Sequence, residues 1–516
     1  MKWVRILILG VLAFACLNGS FLLAQSGGGS VVGTVHDPSG AVIPKADITL
    51  TSVDTSATLS TRSSSSGEFV FPLVPVGTYT LTVTASGFER VEQQNVNVGL
   101  NKTVQVNEAL PVGTATATVQ VKGLTSQLET TTSQAATTID QKTFDDLPIA
   151  MTGAARSVTS VADLMPGVAD TAAIGYGSTG AQGQEFSTTI SGGQAWGGAV
   201  MYDGIPFISA NQSGDYRIQP VPVEALQEFS LVQNNFSAEF GRTPGGNLTY
   251  TTRNGTNAFH GQAYEYIRNT ALDAAGYFAA STPVTHQNEF GVNVGGPIII
   301  PHLFNGKDKL FFFAFYSGFR LTGGVTNSLT TIPTMAERTG DFSGLGRNIY
   351  DPRSTVCDAL GNCARQQYNY NGIPNTMSPS QISATGAEYV KYLPTPINDN
   401  LINNYRQTGV NDTSEDRWGG RIDYNLNENN LFHGFFSLGP INTTNETNIF
   451  LAPISTYGAS VGNNNLALAR ISYDHTFSPS LLMHLGLGYN YDTQNSTAPY
   501  SNIVNSFGIG NALPIT

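Results

Sequence analysis

The chain has 516 residues, 55 of them glycine, a formal net charge of −12 at pH 7 and a charged fraction of only 12%. A mean hydropathy of −0.08 excludes a helical membrane protein. The acidic balance and the absence of a basic stripe in the sequence argue against nucleic-acid binding. The length leaves room for several domains.

The N-terminus has the pattern of a signal peptide that is cleaved after Ala24. Lys2 and Arg5 give a basic start, and residues 6–15 form an apolar core that is too short for a membrane anchor. Lipidation at Cys16 is an open alternative, because the residues before it match a lipobox in part.

Residues 25–110 predict a small all-β domain. Short segments rich in β-branched and aromatic residues alternate with Gly, Pro and Asp turns, which predicts about seven strands arranged as a sandwich. The clearest strand segments are 31–35, 46–50, 68–71 and 79–83.

The same domain contains a set of short motifs, which are Gly33-Thr34-Val35, Asp37-Pro38-Ser39-Gly40, Pro44-Lys45-Ala46, Gly67-Glu68-Phe69, Pro75-Val76-Gly77-Thr78-Tyr79 and Ala85-Ser86-Gly87-Phe88. With these motifs, the domain resembles the carboxypeptidase regulatory-like family. The resemblance implies a transthyretin-like sandwich that serves as an accessory module, and it does not imply peptidase activity.

Residues 111–257 contain a second set of motifs, which are Leu147-Pro148-Ile149, Leu164-Met165-Pro166-Gly167-Val168, Ile190-Ser191-Gly192-Gly193, Tyr202-Asp203-Gly204-Ile205-Pro206, Phe236-Ser237-Ala238-Glu239-Phe240-Gly241-Arg242 and Gly245-Gly246-Asn247. With these motifs, the region resembles the plug domain of TonB-dependent receptors. The resemblance implies an α+β domain, and its Gly pairs permit tight turns inside a crowded lumen.

Residues 258–516 predict the N-terminal part of a transmembrane antiparallel β-barrel. Between 417 and 426, apolar Trp418 and Ile422 alternate with charged Arg417, Arg421 and Asp423. Strands of about 10 residues with aromatic ends are typical of such barrels. We predict seven strands, at 258–269, 288–297, 309–320, 416–426, 431–439, 466–477 and 480–491.

The connections between these strands are short and long in turn. Short turns are typical of the periplasmic side and long loops of the extracellular side, so the loop between 321 and 415 is expected outside the cell. Cys357 and Cys363 lie in that loop, where an oxidising compartment favours a disulfide. A metal site there is a weak alternative, since suitably spaced further ligands are lacking.

The number of strands is small for a barrel with a plug, which needs about 22. We therefore expect a fragment or a truncated gene product. An eight-stranded barrel is the alternative, although side chains already fill the lumen of a barrel of that size.

Charged residues of the plug are expected to pair with one another and so to hold the plug in place. They are Arg156, Arg217, Arg242, Glu224, Glu228 and Glu239. Catalytic residues, cofactors and bound metals are not predicted.

Three other patterns in the sequence are weaker evidence for a binding site. Residues 175–180 match a nucleotide-binding Gly motif but lack a strand–turn–helix unit around them. His286 and Glu289 have the spacing of a zinc pair without a third ligand. A calcium site is an alternative to a solvated loop for an oxygen-rich set. That set is Asp399, Asn400, Asn403, Asn404, Asn411, Asp412, Glu415 and Asp416.

The resemblance implies an outer-membrane TonB-dependent receptor that imports a large or scarce nutrient, with its N-terminal domain in the periplasm. Implied partners are a TonB-type energising protein, outer-membrane lipid, the outer-membrane assembly machinery and an extracellular solute. The expected TonB-contacting segment is Ala117, Thr118, Val119, Gln120 and Val121, because an extended β-branched stretch can add a strand to a partner's sheet. The alternatives are an adhesion or secretion-related barrel that transports nothing, and an exported zinc peptidase.

Overall fold

The structure is a computed structural model of residues 1–516. It describes 27–113, 118–121, 135–146, 149, 151, 153, 155–156, 165–169, 189–193, 198–207, 221–236, 245–275, 277, 282, 284–326, 329–391, 393–406, 408–446, 459–478 and 481–497. The signal peptide, Ala117 and the Gly motif at 175–180 lie outside these residues.

The N-terminal part is a two-sheet β-sandwich, as predicted. Its strands are β1 Gly28–His36, β2 Asp47–Ser52, β3 Thr58–Arg62, β4 Glu68–Pro75, β5 Gly77–Thr84, β6 Arg90–Val98, β7 Thr103–Gln105, β8 Glu108–Ala109 and β9 Thr118–Val121. One sheet has the order β4-β1-β7, with β8 also on β1, and the other the order β3-β2-β5-β6-β9. The inward side chains of both sheets, such as Val31, Ile48, Phe71 and Leu81, form one core.

The first turn of the sandwich shows how the sequence specifies it locally. The Asp37 carboxylate accepts hydrogen bonds from the backbone N–H groups of Ser39 at 2.8 Å and Ala41 at 2.9 Å. Gly40 has a φ of +88°, which glycine adopts without strain. The Asp-Pro-Ser-Gly motif therefore predicts a turn for a physical reason: its Asp side chain accepts backbone hydrogen bonds, and its Gly adopts the positive φ.

A second sheet, called the plug sheet here, follows in the chain. Its strands are β10 Ala135–Asp140, β13 Gly198–Tyr202, β14 Ile205–Pro206, β15 Leu226–Asn234 and β16 Gly246–Thr252, in the order β10-β15-β16-β13-β14. Val168–Ala169 (β11) and Thr189–Ile190 (β12) form a separate small ladder. With the short helix Gln141–Asp146 and the 3-10 turn Val223–Ala225, this region has the predicted α+β character.

The third sheet, called the barrel sheet, contains seven antiparallel strands in sequence order. They are β17 His260–Asn269, β18 Thr285–Pro297, β21 Leu310–Thr326, β26 Thr408–Asn427, β27 Asn430–Glu446, β28 Ala459–Ser478 and β29 Leu481–Thr497. Short ladders β19 Ile299–Ile300 with β20 Phe304–Asn305, β22 Val356–Cys357 with β23 Cys363–Ala364, and β24 Asn369–Tyr370 with β25 Ile373–Pro374 lie in the connections. Each of the seven predicted strands is present.

The barrel strands are longer than predicted, and the extra residues lie mostly at the end with the long connections. Strand β26 begins at Thr408 rather than 416, and β27 ends at Glu446 rather than 439. These extensions are rich in Asn and Thr on both faces, as in residues 442–445. Because apolar and polar residues do not alternate there, these strand ends carry no period-two signal.

The two faces of the barrel sheet have inverted polarity compared with a soluble sheet. On β26, Trp418 and Ile422 are 46% and 53% exposed, whereas Glu415, Arg417 and Asp423 are buried against the plug sheet. On β28, Ile471 is 67% exposed and its neighbour Ser472 is buried. We call the buried side the inner face. An apolar outer face and a polar inner face are the signature of a barrel wall in lipid.

Aromatic side chains on the outer face form two rows. Tyr316 and Trp418 lie in one row, at paired positions of β21 and β26. Tyr424, Phe432 and Tyr473 lie in the other, and the rings of Phe432 and Tyr473 stack with centroids 4.5 Å apart. Trp418 and Tyr424 are six residues apart, or ~20 Å along a strand. This spacing is close to the ~25 Å apolar band between aromatic girdles.

The long connection between β21 and β26 is folded. It contains the helices Met335–Arg338, with a Thr334–Glu337 capping box, and Ala384–Val390. It also contains the 3-10 turns Ser343–Leu345, Pro352–Ser354 and Pro379–Gln381; another, Thr270–Leu272, follows β17. Cys357 and Cys363 form a disulfide across the β22–β23 hairpin. Within the described ranges, no helix has the length and apolar character needed to cross a membrane.

Candidate functional site: the contact between the plug sheet and the barrel sheet

One apolar core joins the plug sheet to the inner face of the barrel sheet. On the plug side, the rings of Tyr202, Tyr250 and Phe229 stack in a row with centroids 5.0 Å apart. They share a buried cluster with barrel side chains including Phe313 and Phe435. Burial of these large aromatic side chains stabilises the contact between the two sheets.

Arg156 is the centre of the first polar contact. Its guanidinium forms an ion pair with Glu224 of the plug and lies 3.4 Å from Glu289 Oε2 on β18. The backbone N–H of Arg156 donates to the same Glu289 oxygen at 2.9 Å. The three side chains are at most 6% exposed. The guanidinium also lies 3.5 Å from the ring centroid of Tyr266 on β17, a cation–π contact.

The chain just before Arg156 is attached to the same two barrel strands. The backbone N–H of Gly153 donates to Gln287 Oε1 at 3.1 Å. The Arg268 guanidinium donates to the Met151 carbonyl at 2.8 Å. Together with the Arg156 contacts, these bonds fix Met151, Gly153 and Arg156 against β17 and β18.

Asp203 and Arg421 form the second polar contact. Asp203 lies in the β13–β14 turn, where Asp203 and Gly204 both have positive φ, as a type I′ turn requires. Its carboxylate accepts from the Thr252 hydroxyl at 2.6 Å and lies 3.3 Å from the Arg421 guanidinium. Arg421 also pairs with Asp423 at 2.9 Å, so the plug turn joins a charge network of the barrel wall.

That network continues across three barrel strands. His433 Nδ1 lies 2.6 Å from Asp423 Oδ1, and His433 Nε2 lies 3.4 Å from Asp474 Oδ2. His484 contacts the other oxygen of Asp474. Acidic and basic groups thus alternate on the inner face from β26 to β29, as expected for charges in a barrel lumen.

The sandwich also contacts the plug sheet. Glu228 of β15 accepts a hydrogen bond from the Leu100 backbone N–H at 2.8 Å, in a turn of the sandwich that also carries Lys102. Burial raises the pKa of Glu228 to about 7, against the opposing effects of the Leu100 hydrogen bond and the Lys102 charge. The charged form of Glu228 is therefore unfavourable in this contact.

We expect the contact between the sandwich and the plug sheet to weaken as the pH rises through about 7. A carboxyl whose pKa is raised on folding gives stability that is fully present below its unfolded value, 4.5, and is lost as the pH passes its folded value. The change should be on the order of 1–3 kcal/mol. Hydrogen exchange of the Leu100 amide, corrected for the intrinsic rate, should show protection at pH 5 that declines by pH 8.

Glu228→Gln should remove this pH dependence, because the amide oxygen can still accept the Leu100 hydrogen bond without a charge. Glu108→Gln is the matched control: burial also raises the pKa of Glu108 to about 7, but Glu108 lies in the sandwich on β8. Persistence of the decline in Glu228→Gln would assign the titration to another group.

The predicted charge pairs of the plug are present only in part. Arg156 and Glu224 pair as expected, but Arg156 also pairs with Glu289 of the barrel. The expectation for Glu228 is corrected, since Glu228 reaches the sandwich rather than a plug arginine. Arg217, Arg242 and Glu239 lie outside the described residues.

The residues of the possible zinc site and of the possible calcium site make other contacts in the structure. His286 bonds to the Asn269 side chain, while Glu289 is buried beside Arg156. In the oxygen-rich set, Asn404 bridges the backbone of Ile332, and Asp416 pairs with Arg320. Among the residues described, no three His, Cys, Asp or Glu side chains are grouped to hold a metal ion.

The expected TonB-contacting segment is described at 118–121, where it forms β9. It pairs in parallel with β6 at the edge of a sandwich sheet, with Val91 beside Val119. The charged residues of the inner barrel face on β27 to β29, such as His433 and Asp474, were not predicted as site residues. The signal that could have found them is a charged or His residue on the less apolar face of a strand.

Comparison with known proteins agrees with this architecture. The family described as outer membrane beta barrel domain matches residues 251–515, which is slightly more than half of the chain. The chain belongs to the outer membrane beta barrel domain family. This barrel protein is therefore located in the outer membrane. The carboxypeptidase regulatory-like domain family matches residues 30–111, in agreement with the resemblance of the sandwich.

Individual proteins are also similar to this barrel protein. The TonB-dependent transporter Oar of Myxococcus xanthus is 26% identical over 377 residues, which cover 69% of this chain and 32% of Oar. The chain thus spans about a third of the length of this relative, whose name confirms the resemblance to TonB-dependent receptors. The name of this relative is that of a transporter.

Two solved structures show a partial likeness to the barrel protein. The outer membrane transporter YddB of Escherichia coli is 11% identical, with 70% of this chain and 40% of YddB covered and a TM-score of 0.39. The siderophore receptor PirA of Pseudomonas aeruginosa is 12% identical, with 70% and 59% covered and a TM-score of 0.24.

Proposed function

We propose that the protein is a TonB-dependent transporter that imports a nutrient through the barrel lumen, and that it has no catalytic activity. The observation that carries this proposal is a plug sheet seated on the inner face of a barrel wall by one apolar core and two groups of ion pairs. A plug of this kind closes the lumen at rest and must rearrange to let a solute pass. The similarity to Oar supports the same function.

We further propose that residues 117–121 bind the TonB-type energising protein in the periplasm. Residues 118–121 form the last strand of the sheet β3-β2-β5-β6-β9, so one backbone edge of β9 has no strand beside it in the described residues. Such an edge accepts an added strand from a partner.

The order of the chain explains how a pull on β9 would reach the plug. The next described element after β9 is β10, which begins at Ala135. Strand β10 is an edge strand of the plug sheet, and among the described strands it pairs with β15 alone, with a register shift between Ala135 and Ala136. An edge strand can be peeled from a sheet while the remaining strands stay paired. A pull toward the periplasm would therefore act first on an edge strand of the plug sheet.

Labelling of a buried plug position tests transport without knowledge of the substrate. Ser230 lies in β15 and is fully buried. In cells with an active TonB-type protein, Ser230→Cys should react with a membrane-impermeant maleimide about tenfold faster than in cells that lack it, because the opened plug exposes this position. Equal rates in both strains would contradict energised transport and favour the adhesion or secretion-related alternative.

A disulfide between β6 and β9 tests the role of the contact segment. Glu92 and Gln120 are register partners, so Glu92→Cys with Gln120→Cys should hold β9 on the sandwich. We expect the energised labelling of position 230 to fall to the rate seen without TonB and to recover under reduction. The measurement is site-specific mass spectrometry of position 230.

The matched control is a second disulfide in the same sheet. Thr51 and Thr58 are register partners on β2 and β3, at the edge opposite β9. Thr51→Cys with Thr58→Cys should leave the labelling unchanged. If the β6–β9 disulfide also leaves it unchanged, residues 117–121 do not transmit the pull, although transport itself could stand.

A further inference from the structure

A pocket lies where the sandwich, the plug sheet and the barrel sheet meet. It is partly open to solvent and has both polar and apolar walls. The lining includes Gly28 and Leu73 of the sandwich, Asp203 of the plug, and Arg470 and His484 of the barrel. Three separate parts of the chain thus form one concave site near the short-turn end of the barrel strands.

The basic groups on the barrel wall of this pocket are paired with carboxylates, with one exception. Arg421 pairs with Asp203 and Asp423, and His433 lies between Asp423 and Asp474. His484 takes the second oxygen of Asp474. The three aspartates therefore already have basic partners, whereas Glu428 of the β26–β27 turn, which also lines the pocket, accepts a hydrogen bond of 3.4 Å from the Ser60 hydroxyl.

Arg470 is the exception. Its guanidinium makes one long hydrogen-bond contact, 3.4 Å to His484 Nε2, and within the described ranges it has no ion pair. A guanidinium has five N–H donors in a planar fork that matches a carboxylate or phosphate. Nearly all of this donor capacity remains available on the wall of the pocket.

The rest of the lining decides what kind of anion fits. Leu59 and Leu73 of the sandwich face the pocket together with Leu431, Phe435 and Leu482 of the barrel. These side chains offer apolar contact beside the Arg470 guanidinium. A fully hydrated inorganic ion would not use such walls.

We propose that this pocket is a binding site for a small organic anion, whose carboxylate or phosphate group binds the Arg470 guanidinium and whose apolar part packs against the leucines. The site is separate from the energised transport proposed above, since it requires neither TonB nor an open plug. A binding measurement therefore tests it independently of transport.

The test uses benzoate and benzamide, which have the same shape and differ in charge at pH 7. The full chain in lipid nanodiscs is titrated with each probe and binding is followed by ligand-observed NMR. Benzoate should bind about tenfold more tightly than benzamide, because only the carboxylate forms charge-assisted hydrogen bonds with the guanidinium. Arg470→Gln should bring the two affinities together, and Arg470→Lys should keep part of the preference.

Arg353→Gln is the control, since Arg353 is an exposed residue of the long loop and pairs with Asp351. It should bind benzoate as the unchanged protein does. Equal affinity for benzamide, or full benzoate affinity in Arg470→Gln, would overturn the proposal. Inorganic phosphate is a third probe: Arg470-dependent binding of phosphate without binding of benzoate would overturn the role of the apolar walls.

Discussion

Replacing Arg156 with Met is expected to lower the free energy of unfolding by about 3–5 kcal/mol. The substitution leaves Glu224 and Glu289 buried without their shared cation, and it removes the cation–π contact with Tyr266. An unpaired buried charge loses its solvation without compensation, which makes such a loss large. Urea unfolding of the purified protein in detergent, followed by intrinsic fluorescence, measures the change.

Arg353→Met is the matched control for this experiment. It removes an arginine from a pair with Asp351, but the Arg353 side chain is 66% exposed. An exposed pair contributes less than about 1 kcal/mol. If the two variants unfold at the same urea concentration, Arg156 does not hold the plug to β18. If Arg156→Met lowers the stability and Arg353→Met does not, cells carrying Arg156→Met should also be more permeable to antibiotics too large for general pores.

Ile471→Arg is expected to destabilise the protein in a bilayer by about 2–4 kcal/mol. Ile471 is on the outer face of β28, 67% exposed, between the two aromatic rows. A charged side chain there would have to enter hydrocarbon or displace lipid. Unfolding of the protein in phospholipid vesicles by urea measures the cost.

Phe477→Arg provides the depth control on the same strand and the same face. Phe477 is 58% exposed and lies six residues closer to the short turn than Ile471, beyond the aromatic row that contains Tyr473. Near the membrane interface the cost of an arginine falls to about 0–1 kcal/mol. Equal costs at 471 and 477 would show that the exposed face does not span a bilayer at this position.

The two polar contacts attach different parts of the plug to the barrel sheet. Arg156 attaches the chain after the short helix to β17 and β18, whereas Asp203 attaches the β13–β14 turn to β26. Strand β10, at the edge of the plug sheet, has neither kind of ion pair among the described residues. A pull on β10 would thus leave both polar contacts in place. This agrees with the proposal if the plug opens in part and stays in the barrel.

The amino-acid sequence by itself determined the local structure of this protein. Alternating segments predicted the seven barrel strands and, for residues 417–426, the apolar and the polar face, because successive side chains of a strand point to opposite sides. The turn at Asp37 was readable because Asp and Gly there satisfy local backbone demands. The Asn- and Thr-rich strand ends were missed because both of their faces are wet.

Only the tertiary structure decided which charges meet. Arg156 and Glu289 are 133 residues apart in the chain, and Asp203 and Arg421 are 218 apart. An ionisable side chain carries no local signal of its partner, so the sequence suggested pairing within the plug while the fold paired the plug with the barrel wall. The edge position of 118–121 was also decided by the fold, since strand order depends on which sheets pack together and not on the residues of one strand.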